Sequence, residues 1–181
     1  AMPSWVSLIP GTNDALVGES LDVRRINVVT GATTASIPAP NGVFSVATNS
    51  GGTMAYASVN ASPMPNAADG DLSEVWKIDL ASNTVIDKIP GFTNARDLAV
   101  TPDGRSLLVA TNGPYSGNNG AGSGLYQVDL ATDKIIASAM GGRSIRIPAP
   151  MPDSASAYVD AGCWDPDTSS AHGTGNEVSG S

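Results

Sequence analysis

VWKIDLASNTVIDKIPG, residues 75–91, recurs in weaker form as VRRINVVTGATTASIPA from Val23 and as LYQVDLATDKIIASAMG from Leu125. The three copies align Ile26 with Ile78 and Val128, and Asn27 with Asp79 and Asp129. A turn sequence follows in each (Val-Thr-Gly, Ala-Ser-Asn, Ala-Thr-Asp), and then a second short apolar run. A polar side chain at a strand-to-turn junction accepts hydrogen bonds from the turn's own N–H groups. The sequence therefore predicts structural, turn-capping roles for Asn27, Asp79 and Asp129. Trp76 and Tyr126 share one position of the repeat and read as packing between sheets, as does Trp5. Self-similarity at a period of roughly 50 residues marks a stacked or radial repeat architecture.

Between these copies lies a second repeated block. FSVATNSGGTMAYASVN from Phe44 aligns with DLAVTPDGRSLLVATNG from Asp97 and with IPAPMPDSASAYVDAGC from Ile147. Each is a short apolar strand, a tight turn and a second strand. Pro-Asp-Gly is strong turn chemistry, because Pro fixes φ, Asp bonds its own backbone and Gly accepts positive φ. The flanking runs alternate with period 2, and no stretch of 11 residues has a helical period. The chain is predicted to be all-β. Four antiparallel strands per repeat of about 50 residues make a propeller blade.

The segment VWKIDLASNTVIDKIPG followed by ARDLAVTPDGRSLLVATN resembles the YVTN-type repeats of seven-bladed β-propellers, IDxxTNxVxxxIPxG and then xxxVxxxPDGxxxYVxN. The resemblance spans most of residues 5–161 and implies a fold, with no catalytic motif. In that family's strand order, inner strands fall near residues 5–9, 43–48, 97–101 and 145–149. Second strands fall near 15–18, 54–59, 107–111 and 157–161. Third and fourth strands are expected only three times, giving about fourteen strands, or three and a half blades. Residues 1–161 then form a partial ring, and 162–181 form a long Gly/Ser-rich loop or tail. Ring closure buries sheet edges that otherwise template pairing. A partial ring therefore predicts an oligomer, in which another chain or the remainder of a propeller completes it.

Composition narrows the function. With 181 residues and 41% apolar content the chain can bury a core. A formal charge of −8 with only nine Lys and Arg excludes a broad electrostatic footprint for nucleic acid. No apolar run reaches the roughly 18 residues of a membrane span. One cysteine, Cys163, excludes an internal disulfide and a Cys-cluster metal site. Sparse Lys and loops rich in Gly, Ser, Thr and Asn lead us to expect a periplasmic or secreted protein.

Three long loops, at 61–73, 113–123 and 162–181, share one place in the repeat and should crowd one rim of the channel. Loops longer than a fold requires are where function concentrates. Arg96 and Arg146 are equivalent and start innermost strands at the channel mouth, with Arg143 just upstream. Three converging guanidiniums suit a small carboxylate or phosphate ligand. The alternative is that each pairs with a neighbouring Asp, such as Asp97 or Asp153, or lies across a blade interface. The last loop gathers Cys163, Trp164, Asp165, Asp167 and His172. One thiolate, one imidazole and carboxylates are donors for Zn or Cu, and Cys163 with His172 is formally a nucleophile and base. The acidic turns here and at Asp69-Gly70-Asp71 are loosely Ca²⁺-like but lack an EF-hand's spacing. No metal site and no cofactor is therefore assigned, with Ca²⁺ or a transition metal as the alternative.

Two functions remain. The first is a non-catalytic propeller module that binds a ligand or protein, forming part of a larger extracytoplasmic propeller. The second is part of a propeller enzyme, a lactonase-like hydrolase or a periplasmic amine-dehydrogenase-type subunit, with its site at the channel mouth.

Overall fold

The structure, a computed structural model, describes residues 5–60, 72–113, 122–139, 144–164 and 171–179. Among these residues every regular element is a strand. The first antiparallel sheet runs β1 (Trp5–Leu8), β2 (Asp14–Gly18), β3 (Asp22–Asn27), β4 (Thr33–Pro38). The second runs β5 (Val43–Thr48), β6 (Met54–Asn60), β7 (Leu72–Asp79), β8 (Thr84–Thr93). The third runs β9 (Ala95–Val100), β10 (Ser106–Asn112), β11 (Ser123–Asp129), β12 (Lys134–Ala139). The fourth has three strands, β13 (Ser144–Pro150), β14 (Ser156–Trp164) and β15 (Ala171–Ser179). Strand order in space follows strand order in sequence, so each sheet is an up-and-down meander. The inner strands are neighbours in turn: β1 lies against β5, β5 against β9, and β9 against β13. This is the arrangement of propeller blades around an axis, and the expected all-β partial propeller is what the chain forms.

The fourth sheet corrects one expectation. The sequence reading ended its strands near residue 161 and left 162–181 as loop or tail. Instead β14 continues to Trp164, and β15 pairs with it along its whole length, from Ala171 opposite Trp164 to Ser179 opposite Ser156. Among the described residues there are fifteen strands, where about fourteen were expected. The GTGNEVSGS stretch lacks an apolar run or β-branched series, so propensity alone gave no strand signal.

Middle blades are buried on both faces, which explains why their strands are apolar beyond simple alternation. On β7, Trp76 and Ile78 pack with Ile9, Leu16 and Val23 of the first blade. Val75 packs the other way, with Phe92 and with Leu98, Leu107 and Val109 of the third blade. Leu108, Ala110 and Leu125 then meet Ile145, Ala157 and Val159 of the fourth. The core is thus a series of three blade-to-blade layers. Trp5, Trp76 and Tyr126 all join these layers, as expected of them.

The capping residues do what their spacing predicted. Asn27 Oδ1 accepts from the N–H groups of Val29 and Thr30. Asp79 accepts from Ala81 and Ser82, and Asp129 from Ala131 and Thr132. Two residues past each turn's first N–H donor, Gly31, Asn83 and Asp133 sit at positive φ (72°, 55° and 55°). Gly has no Cβ to object, and Asn and Asp tolerate the left-handed region better than most side chains. Just before each of these turns the pairing of third and fourth strands slips by one residue, at Arg25/Ile26, Lys77/Ile78 and Gln127/Val128. The bulge leaves Ile86 and Ile136 pointing outward and exposed.

These turns make acid sensitivity testable. Hydrogen bonds hold four carboxyls below the usual carboxylate range: chiefly from the Ser82 hydroxyl at Asp79, the Thr101 hydroxyl at Asp103, the Ala131 N–H at Asp129 and the Ala155 N–H at Asp153. A carboxyl whose folded pKa is depressed stabilises the fold above its unfolded value of about 3.9, and that contribution is lost as pH falls through the folded value. The urea midpoint should therefore fall below about pH 4. In the double variant Asp79→Asn/Asp129→Asn, which keeps acceptors but cannot titrate, that fall should be shallower. An unchanged acid limb would show that these caps carry no linkage.

Candidate functional site

The starts of the inner strands are where the predicted arginines meet the structure. Pairing between first and second strands is irregular at this end of β5, β9 and β13, near Phe44, Arg96 and Ile147. Such bulges re-aim side chains away from the regular pleat. On β9 the Arg96 guanidinium lies 4.0 Å above the centre of the Phe44 ring on β5. A planar, weakly hydrated cation stacks well on an aromatic face. On β13 Arg146 Nε donates to Asp97 Oδ2 of β9 at 2.9 Å, and the Ile147 N–H donates to the same oxygen at 3.1 Å. Asp97 is only 2% exposed, whereas the Arg146 side chain is about half exposed. Ile147 has φ of 51°, costly for a β-branched residue, and the Asp97 carboxylate holds its backbone there.

Both described arginines therefore lie across blade interfaces, and the alternative reading of the sequence is the one their contacts follow. Arg143 lies outside the described residues. Hydroxyls tie the inner strands of the other blades together in a related way. The Leu98 N–H donates to Ser45 Oγ across the β5/β9 boundary at 3.2 Å, and Ser45 is itself fully buried. Thr48 Oγ1 donates to the Leu8 carbonyl at 2.8 Å and lies 3.1 Å from Ser7 Oγ across the β1/β5 boundary. Polar contacts thus join the inner strands from blade to blade, and at the strand starts Arg146 presents a guanidinium already oriented by a buried carboxylate.

The residues expected in the last rim loop are distributed differently. Cys163 and Trp164 end β14, and His172 lies on β15. The register sets Cys163 directly opposite His172. Asp165 and Asp167 lie outside the described residues, as do most of the loops at 61–73 and 113–123. Among the described residues there is no group of three or more His, Cys, Asp and Glu side chains arranged to hold a metal ion. No helix among them is long and apolar enough to cross a membrane.

Sequence reasoning missed one repeated device. The pairing register makes Arg25, Lys77 and Gln127 counterparts, opposite Leu16, Tyr56 and Leu108. Arg25 donates to the Leu80 carbonyl at 2.9 Å and to Asn83 Oδ1 at 3.3 Å on the next blade, while its Nε pairs with Asp14 at 2.7 Å. Lys77 repeats this one blade on, reaching the Leu130 carbonyl at 3.4 Å and Asp133 at 2.7 Å. A cation on the third strand thus clips each of the first two blades to the turn of its successor. Gln127 instead donates to Ser106 of its own blade. The signal in the sequence was the coincidence of Arg25 with Lys77 and of Leu80 with Leu130 at fixed repeat positions.

No protein-family model and no curated protein matches this sequence. Among solved structures the chain is similar to Kuenenia stuttgartiensis hydrazine synthase, with a TM-score of 0.79 at 15% identity. The match covers 99% of this chain and 51% of that one, so this chain spans about half the length of its neighbour. At that identity the likeness speaks to the fold, and it agrees with the blade architecture described above: this chain is a propeller-type module with a partial ring.

Proposed function

We propose that this chain is a non-catalytic, ligand-binding module of an extracytoplasmic propeller, built on YVTN-type repeats, and that its ligand is a small anion held at the channel mouth. The observation that carries the reading is Arg146: fixed by the buried Asp97 through Nε, it keeps a half-exposed side chain at the start of an inner strand. A guanidinium pre-oriented in this way loses little further freedom when it meets a carboxylate or phosphate. Arg96 lines the adjacent inner strand, and Arg143 precedes β13 in sequence. The acidic chain, at −8, supports a local anion site over any nucleic-acid surface. The low Lys content supports the extracytoplasmic assignment.

The test uses inorganic phosphate and malonate as probes in low-salt calorimetric titrations. Arg146→Gln should weaken binding of whichever probe binds by about ten-fold or more, the scale of one charge-assisted bidentate contact. Equal affinity in the variant, or no binding of either probe to the unaltered chain, would remove the anion site.

A second reading, part of a propeller enzyme of lactonase-like or amine-dehydrogenase type, is favoured by the register that pairs Cys163 with His172. A resident Ca²⁺ or transition metal would belong to this reading. Elemental analysis of the purified chain separates the two: a metal at unit stoichiometry that Cys163→Ser/His172→Ala removes supports the enzyme, and its absence supports the binding module.

A further inference from the structure

Near the start of β5, β9 and β13 the strand slips out of register with its partner, and the residues that drop out are turned from the regular pleat. They are Phe44, Arg96 and, with Pro148 beside it, Ile147. Read across three successive blades, the row is apolar, cationic, apolar. Its first two members touch, with the Arg96 guanidinium over the Phe44 ring. Phe44 and Arg96 each have a blade on both sides. Phe44 stands between the buried Val43 and Ser45, and Arg96 between the buried Ala95 and Asp97, yet both remain partly exposed. The opening therefore comes from the bulge itself and not from a missing neighbour. Ile147 is 56% exposed at the same place on β13.

The backbone makes that exposure informative. Among the described non-glycine residues at positive φ, Asn83, Asn94, Asp133 and Ser154 carry short polar side chains, and Ile147 is the one β-branched residue. Glycine would take its φ of 51° without strain. A strained backbone that holds an apolar side chain out into water points to a use for that side chain. Asp97 supplies the hold, its Oδ2 accepting from both the Ile147 N–H and Arg146 Nε. One buried anchor thus fixes a guanidinium and an apolar side chain in succession, both exposed between the buried Ile145 and Pro148.

We infer that the anion bound at Arg146 is a monocarboxylate carrying a compact apolar group, which packs on Ile147 while its carboxylate meets the guanidinium. The inference rests on the anion-site reading above and narrows its ligand class. Asp97 engages Arg146 through Nε, so the ligand's two oxygens meet the terminal nitrogens. Ile147 follows Arg146 directly, and a carboxylate held there carries its substituent past the Ile147 side chain. Each methylene fully buried in this way favours binding by about four-fold. A phosphate or a dicarboxylate gains nothing from that surface, because its further charge must lose water beside an apolar side chain that offers it no partner. The Phe44 ring extends the same row one blade beyond Arg96.

Low-salt calorimetric titrations with acetate, isovalerate and inorganic phosphate read the outcome. Isovalerate should bind the unaltered chain about ten-fold more tightly than acetate, because its additional carbons are partly buried. Ile147→Gly and Ile147→Asn both suit the positive φ and keep the N–H that Asp97 accepts, so far-UV circular dichroism should show the fold retained. In both variants the preference for isovalerate over acetate should collapse to about two-fold or less. Arg146→Gln should weaken acetate and isovalerate alike. If none of the three probes binds the unaltered chain, the anion site itself falls, and this inference with it. If acetate or phosphate binds and isovalerate binds no more tightly, the apolar subsite is overturned while the anion site stands. A preference that survives in both Ile147 variants would show that the apolar group packs elsewhere, and would overturn the inference too.

Discussion

Gly52→Ala is expected to destabilise the protein by about 3 kcal/mol, whereas Gly104→Ala should cost only about 1 kcal/mol. The two glycines occupy the same place in the first hairpin turn of adjacent blades. Gly52 N–H donates to the Asn49 carbonyl and Gly104 N–H to the Thr101 carbonyl. Both have positive φ, 64° and 70°, so an L side chain at either suffers the same backbone penalty. Their surroundings differ. A Cβ on Gly104 would meet nothing within 4 Å, but one on Gly52 would press into the carbonyl oxygen of Pro10 and touch Ile9. Pro10 belongs to the first blade's turn, and backbone cannot swing aside as a flexible side chain does. The difference between the two variants therefore isolates the close approach of blades one and two, and urea midpoints with unchanged m-values would report it. Equal costs would mean that the Pro10 turn yields freely.

Asp97→Ala should cost about 2–3 kcal/mol, the larger part of it from donors left unsatisfied. The carboxylate is almost fully buried between β9 and β13 and serves both the Arg146 guanidinium and the Ile147 N–H. Removing it orphans an amide in a sterically costly conformation. Arg146→Ala should cost less, about 1 kcal/mol or below, because that side chain is half exposed and the Ile147 N–H keeps its acceptor. Amide exchange at Ile147 supplies a local readout: faster in Asp97→Ala and near unaltered in Arg146→Ala. The reverse order would mean that Arg146, not Asp97, holds the β9/β13 boundary.

Much of this fold was legible because repeats multiply weak signals. Asp79 alone is an ordinary turn residue, but its recurrence as Asn27 and Asp129 at one strand-to-turn junction fixed the turns, and the Pro102-Asp103-Gly104 hairpin with its two counterparts fixed their partners. The last strand of the fourth sheet carries no such repeated signal. β15 has little intrinsic strand character, and its formation depends on the free edge of β14, a non-local pairing that composition does not reveal. The candidate site was legible by position and not by partner. Equivalence of Arg96 and Arg146 placed both at the channel mouth, yet only packing set one on Phe44 and the other on Asp97.

By itself the sequence determined the strand-and-turn grammar: period-2 runs, capping carboxylates and glycines at positive φ are local, each decided within a few residues of backbone. Tertiary structure alone decided which groups meet across blades. The Arg25 and Lys77 clips, the Ser45 and Asp97 acceptors and the stacking of Arg96 on Phe44 join residues about 50 positions apart. Such contacts follow from how blades stack around an axis, which no window of sequence contains.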